Sequence, residues 1–255
     1  MKFQFQLLIA AAALAFAATP QAAPVPSGLT IDVTRTSFEL SAATPGASQG
    51  SVTFGTFGGA ANSGGTGSFT ETGDRIGATL VAQGTSTGNP PGSTAGLFGF
   101  DYAVTLTNST ATDFEVMLTA LVLNQVSATG SDAYAKSIFV VRRGVDELFF
   151  SDFRVDTFNT GQANNFQQAS PNNVVTLLIA ANSSLLLTAS QEIEGGAFSP
   201  SSSFSASLDA ALQLTSARSL GGGGNPGPPN GVPLPGTLAL LLVTMPGLVL
   251  SRRRR

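Results

Sequence analysis

Between about residues 27 and 215, large apolar side chains recur at every second position, and this period of two constrains the fold more than any other feature of the chain. Phe100, Tyr102, Val104 and Leu106 alternate with Asp101, Ala103, Thr105 and Thr107 up to Asn108-Ser109-Thr110. Successive side chains of a strand point to opposite faces, so such a run buries one face and wets the other. Phe114, Val116, Leu118, Ala120 and Val122 resume the pattern, and the two runs read as an antiparallel hairpin about the Asn-Ser-Thr turn. Residues 138–142 and 147–155 read as a second hairpin about Arg143-Gly144-Val145-Asp146, and 174–180 with 185–191 as a third about Asn182-Ser183-Ser184. Phe204, Ala206, Leu208, Ala210, Leu212 and Leu214 mark a last strand, although 208–214 also admits a short helix. Shorter strand candidates at 29–33, 38–41, 51–57, 68–71 and 75–83 are separated by Gly-rich turns. Many short strands without helical spacing imply an all-β fold, an antiparallel β-sandwich of jelly-roll or immunoglobulin-like shape over residues 24–220.

What the chain lacks narrows its chemistry. It has no cysteine and no histidine, which removes disulfides, thiolate nucleophiles, Ser-His-Asp arrangements and imidazole metal sites together. The formal charge of -3 is divided unevenly: Lys2 and the four terminal arginines account for five of the 12 basic residues, leaving seven against all 15 acidic ones. An acidic body of that kind does not suit nucleic acid, whose phosphates need a basic face. The Gly-rich loops also contain no phosphate-cradling motif.

Both ends depart from the alternating pattern. Lys2 precedes the apolar run 7–18, LLIAAAALAFAA, whose twelve residues are too few for a bilayer that needs about 20 and suit a signal-peptide core. Small residues follow, so cleavage is expected between Ala17 and Ala23 and the signal peptide spans 1–23, to be handled by the Sec export machinery and signal peptidase. At the other end, the Gly/Pro-rich stretch 221–231 reads as an extended linker. Val232, Pro233, Leu234 and Pro235 come next, then an apolar segment opening with Thr237-Leu238 and closing at Leu250, then Ser251 and Arg252, Arg253, Arg254 and Arg255. The apolar segment is at the lower limit for a span, with Pro246-Gly247 inside it, and the arginines act as a stop that stays cytoplasmic.

This C-terminal succession resembles the PEP-CTERM sorting signal of Gram-negative bacteria: a Val-Pro-Leu-Pro motif, a leucine-rich helix and a terminal basic cluster within 232–255. Leu234 stands where the name-giving motif has Glu. The resemblance implies an inner-membrane-anchored intermediate, processing near the motif by an exosortase, release to the cell surface or beyond, and an association with exopolysaccharide and biofilm. Tyr102 to Asn108 and Ser151-Asp152-Phe153 also resemble passenger domains that precede this signal. The expectation is a non-enzymatic protein of the cell envelope or extracellular matrix, structural or adhesive, with no cofactor.

Two acidic groups bear on other classes. Asp146, Glu147, Asp152 and Asp156 are the densest, and a Ca²⁺ site needs several such hard oxygens, but Arg142, Arg143 and Arg154 lie near them in sequence and the spacing fits no calcium loop. The favoured reading is a solvated hairpin with cross-strand ion pairs. Glu192 and Glu194 share a strand face, as a glycosidase or lyase carboxylate pair would, while an exposed strand end produces the same pattern. A carbohydrate-binding module would use surface aromatic rings. Here there is no Trp, only Tyr102 and Tyr134 represent tyrosine, and most strand phenylalanines lie in the core phase, with Phe149-Phe150 the exception.

Overall fold

A computed structural model describes residues 22–43, 51–54, 66–86, 94–158 and 162–221. The chain divides into two units, Met1–Leu220 and Gly221–Arg255. The signal-peptide residues up to 21, most of the linker, and all of the sorting motif, membrane segment and basic stop lie outside the described residues.

The described residues hold strands and no helix. In chain order these are β1 Leu29–Ala43, β2 Ser51–Phe54, β3 Thr66–Ser68, β4 Arg75–Thr85, β5 Thr94–Asn108, β6 Phe114–Thr129, β7 Ala133–Arg143, β8 Asp146–Asp156, β9 Asn164–Ala169, β10 Val174–Ile179, β11 Ser183–Ala197 and β12 Ser203–Ser219. They form a seven-stranded sheet, β3-β1-β5-β11-β7-β8-β9, and a five-stranded sheet, β10-β6-β12-β4-β2, both antiparallel. The two sheets face each other across one apolar core, the arrangement of a β-sandwich.

The alternation places the core where the sequence predicts. Phe100, Tyr102, Val104 and Leu106 of β5 are fully buried, as are Ala206, Leu208, Leu212 and Leu214 of β12. Residues 208–214 are therefore strand and not helix, because their period of two meets a facing sheet at every step. Each large apolar side chain buried this way contributes roughly 1.5–3 kcal/mol. The predicted 29–33 and 38–41 segments are one strand, β1, with a bulge between Arg35 and Ser37. The β7–β8 hairpin forms as expected, with Gly144 at φ 59° opening its two-residue loop, as a type II′ turn requires.

Two of the three expected hairpins do not form. β5 pairs with β1 and β11, whereas β6 pairs with β10 and β12, so Asn108-Ser109-Thr110 carries the chain from one sheet to the other. The Asn182 turn does the same between β10 and β11. The two crossings are fastened together through buried Asn108, whose Nδ2 donates to the carbonyls of Thr112 (2.7 Å), Ile179 (3.2 Å) and Ala180 (2.9 Å). Its Oδ1 accepts from the Thr110 amide at 2.9 Å and from the Thr110 hydroxyl at 2.8 Å. Asn182 donates its amide to the Thr110 carbonyl and adopts φ 50°, a conformation that asparagine tolerates. A turn whose single Asn is satisfied by a neighbouring turn thus replaces the cross-strand ladder that a hairpin would have formed.

Candidate functional site

The register of β11, β7, β8 and β9 arranges the outer face of the seven-stranded sheet in rows. Along β7, Ala133, Ala135, Ser137 and Phe139 are buried while Tyr134, Lys136 and Ile138 point outward and are half-buried. One row runs Gly196, Tyr134, Asp156, Asn164; the next Glu194, Lys136, Arg154, Phe166; the next Glu192, Ile138, Asp152, Gln168. Lys136 Nζ lies 2.6 Å from Glu192 Oε1 and 3.7 Å from Glu194 Oε2. Tyr134 donates its hydroxyl to Glu194 Oε1 at 2.7 Å. Burial, and then the adjacent Glu194 carboxylate, raises the Tyr134 phenol well above its ordinary range. Arg154 holds Asp152 through two hydrogen bonds of 2.8 and 2.5 Å, which raise the guanidinium further.

Beside these charged rows lies a group of aromatic rings. Tyr134 and Phe198 stack with centroids 6.0 Å apart and planes at 13°, Phe158 lies 6.4 Å from Phe198, and Tyr134 lies 6.1 Å from Phe158. Phe158 and Phe198 follow the ends of β8 and β11 and are each 39% exposed. Gly196 makes the close approach possible, since a Cβ there would sit 2.5 Å from Phe198 Cζ and 2.8 Å from Tyr134 Cε1. Phe166 on β9 extends the aromatic surface, with the Arg154 guanidinium 5.7 Å from its ring centroid. A depression of about 230 Å³ opens among Tyr134, Lys136, Arg154, Asp156 and Phe158.

Of the acidic residues singled out from sequence, Glu192 and Glu194 are brought together, and the four on β8 are not. Glu192 and Glu194 do not form an exposed strand end: they lie on an inner strand of the sheet, facing Lys136. That ammonium occupies the space between the carboxylates, where the glycosidic oxygen of a substrate would have to enter. Asp146 and Asp156 bound β8 at its two ends, about 33 Å apart at the rise of an extended strand. Asp146 pairs with Arg143, Glu147 with Arg142 and Asp152 with Arg154. Among the described residues no group of three acidic side chains is placed to hold a metal. Phe149 is buried, its ring tilted against that of Phe139 with centroids 5.7 Å apart, and its neighbour Phe150 is half-buried on the opposite face.

A second concavity, about 600 Å³, lies where β6 runs on past its pairing with β10 and faces β8. Phe149 and Phe153 line it together with Asn124, Ser151 and Asn173. Asn124 Nδ2 donates to Ser151 Oγ at 2.6 Å and its Oδ1 accepts from Ser137 Oγ at 2.9 Å, so these groups are already engaged with one another.

Sequence reasoning passes over the aromatic group because its members lie far apart in the chain. The signal that could find it is phase: Tyr134 shares the outward phase of Lys136 and Ile138, an unusual place for a large ring. No protein-family model and no curated protein matches the chain. Among solved structures, that of the infectious bursal disease virus Gx strain aligns over 85% of this chain and 71% of that one, at 10% identity and a TM-score of 0.12. So low a score supports no inference about this chain's fold or role.

Proposed function

We propose that the chain is an exported, non-enzymatic β-sandwich protein of the cell envelope or extracellular matrix, with a structural or adhesive role. It is delivered by the N-terminal signal peptide and sorted by an exosortase-type system through 232–255. The observation that carries this reading is the C-terminal succession of Gly/Pro-rich linker, Val232-Pro233-Leu234-Pro235, the apolar segment 237–250 and four arginines. Prolines two apart in sequence favour extended over helical backbone, as a motif read by a protease requires. The folded body is compatible with life outside the cell. Its large core needs no disulfide, and among its described ionic groups Glu192, Asp152, Glu147, Asp146 and Glu115 each carry a basic partner. Of the two expected topologies we favour jelly-roll winding. Consecutive strands change sheet throughout, except at β7–β8 and β8–β9.

Deleting 232–255 tests the sorting role. The full chain should fractionate with the envelope or the cell surface, and the truncated chain should appear in the periplasm or medium. Unchanged fractionation removes the anchor from the proposal, and intact-mass analysis of the protein recovered from cells locates both cleavage points.

A further inference from the structure

We infer that the outer face of the seven-stranded sheet carries a binding platform for a neutral polysaccharide chain, built on Phe198, Tyr134, Phe158 and Phe166. These four side chains belong to or directly follow four successive neighbours in the sheet, β11, β7, β8 and β9. Three strand spacings separate the first from the last, about 14 Å, which is the length of a short run of sugar units. Phe158, Phe166 and Phe198 are exposed at 39%, 47% and 39% respectively, whereas Phe139 and Phe149 of the same sheet are buried in the core. A solvated ring with an electron-rich face is suited to the C–H groups of a pyranose, which turns an apolar side toward the ring and its hydroxyls away from it.

The three rows together supply partners for those hydroxyls. The Tyr134 hydroxyl, Glu194, Lys136 Nζ and Glu192 form a hydrogen-bonded set that runs from the Tyr134 row across the next two, and Arg154 and Asp156 line the depression beside Phe158. Few polar groups beside an apolar surface is the usual make-up of a small-molecule or glycan site. Charge selects among glycans. Lys136 and Arg154 stand against Glu192, Glu194, Asp152 and Asp156, so the surroundings are net negative and repel an acidic polysaccharide. Gly196 completes the platform, because any side chain there would lift Phe198 and Tyr134 from their common stack. The inference stands on the folded body alone, so its failure and the failure of the sorting proposal are separate results.

Affinity electrophoresis of the full chain tests it, in native gels containing hydroxyethyl cellulose, galactomannan or dextran, with alginate as the acidic contrast. At least one neutral polysaccharide should retard the protein and alginate should not. The Phe158→Ala/Phe198→Ala double variant should bind about tenfold or more weakly, whereas Phe158→Tyr/Phe198→Tyr, which keeps the rings, should bind as the parent does. Circular dichroism checks that the variants fold, and Phe158→Ala alone gives the same reading if the double variant does not. Retardation by none of the neutral polysaccharides, retardation unchanged in the double variant, or stronger retardation by alginate would each overturn the inference.

Discussion

On its inner side β11 presents Leu187, Ala189, Gln191, Ile193 and Gly195 to the core, and on its outer side Thr188, Ser190, Glu192, Glu194 and Gly196 to the surroundings. The two sides solve the same problem of polar groups in different ways. Inside, Gln191 is fully buried and donates Nε2 to the Ala210 carbonyl of the facing sheet at 2.8 Å, while its buried Oε1 has no hydrogen bond of good geometry. Outside, Glu192 and Glu194 share Lys136, and each carboxylate can exchange that ammonium for water. Inner contacts are therefore specific to the fold and expensive to disturb, whereas outer ones tolerate rearrangement. A recognition surface can form on the outer side without weakening the sandwich.

The largest test of this contrast uses alkali. Tyr102 is inner and Tyr134 outer, and both phenols are raised above their ordinary value of 10.0. For Tyr102 burial is the main cause, offset in part by Gln191 and the Leu212 backbone, with no hydrogen bond of good geometry at its oxygen. For Tyr134 burial comes first and Glu194 adds to it. A folded state that holds a proton more tightly than the unfolded chain is stabilised fully below the unfolded value and loses that stability as pH rises through the folded one. Stability should hold below pH 10.0 and fall above it, with phenolate absorbance appearing together with unfolding. Urea titrations on either side of that pH should show Tyr102→Phe flattening the alkaline fall more than Tyr134→Phe, at little loss near neutrality. Equal flattening by the two variants would break the distinction between the faces.

Adjacent glycines sharpen the contrast at a single step of the strand. A Cβ on Gly195 would press into the Phe204 ring, 2.5 Å from its Cε2, and Phe204 is itself buried in the core. A Cβ on Gly196 would meet the outer rings of Phe198 and Tyr134, and Phe198 has solvent to swing into. Gly195→Ala should therefore cost about 2 kcal/mol through overpacking, and Gly196→Ala clearly less. Denaturant midpoints of the two variants check this. On the glycan gels the order should reverse, with Gly196→Ala losing retardation and a folded Gly195→Ala keeping it.

The same contrast explains which parts of the molecule are legible in the sequence. Alternation reports which side chains share a face, so the inner residues of β5, β11 and β12 can be read one by one. It does not report a strand's partner. Asn108-Ser109-Thr110 has the composition of a hairpin turn, yet its Asn reaches 71 and 72 residues along the chain to Ile179 and Ala180, and no local pattern encodes such a reach. β9 is illegible for the opposite reason: Asn164-Asn165-Phe166-Gln167-Gln168-Ala169 is exposed on both faces, so no apolar period marks it. The outer site is hidden because it is assembled by register. Tyr134, Phe158 and Phe198 meet only when β7, β8 and β11 align, and the two short end-of-strand positions lie outside any alternating run.

The smallest expected effect comes from the residue next to Gln191. Glu192→Gln removes the carboxylate closest to Lys136 but keeps its shape and its ability to accept a hydrogen bond. The pair is partly open to solvent, with the side chains 24% and 37% exposed, and Lys136 still has Glu194 at 3.7 Å. Partly exposed pairs contribute little, so the change in stability should stay within about 0.5 kcal/mol and shrink further as salt screens what remains. Urea denaturation at low and high salt measures it. If Glu192→Gln costs about 2 kcal/mol or more, as losing a buried partner would, then the outer row is part of the folding core after all and the division between the two faces of β11 fails.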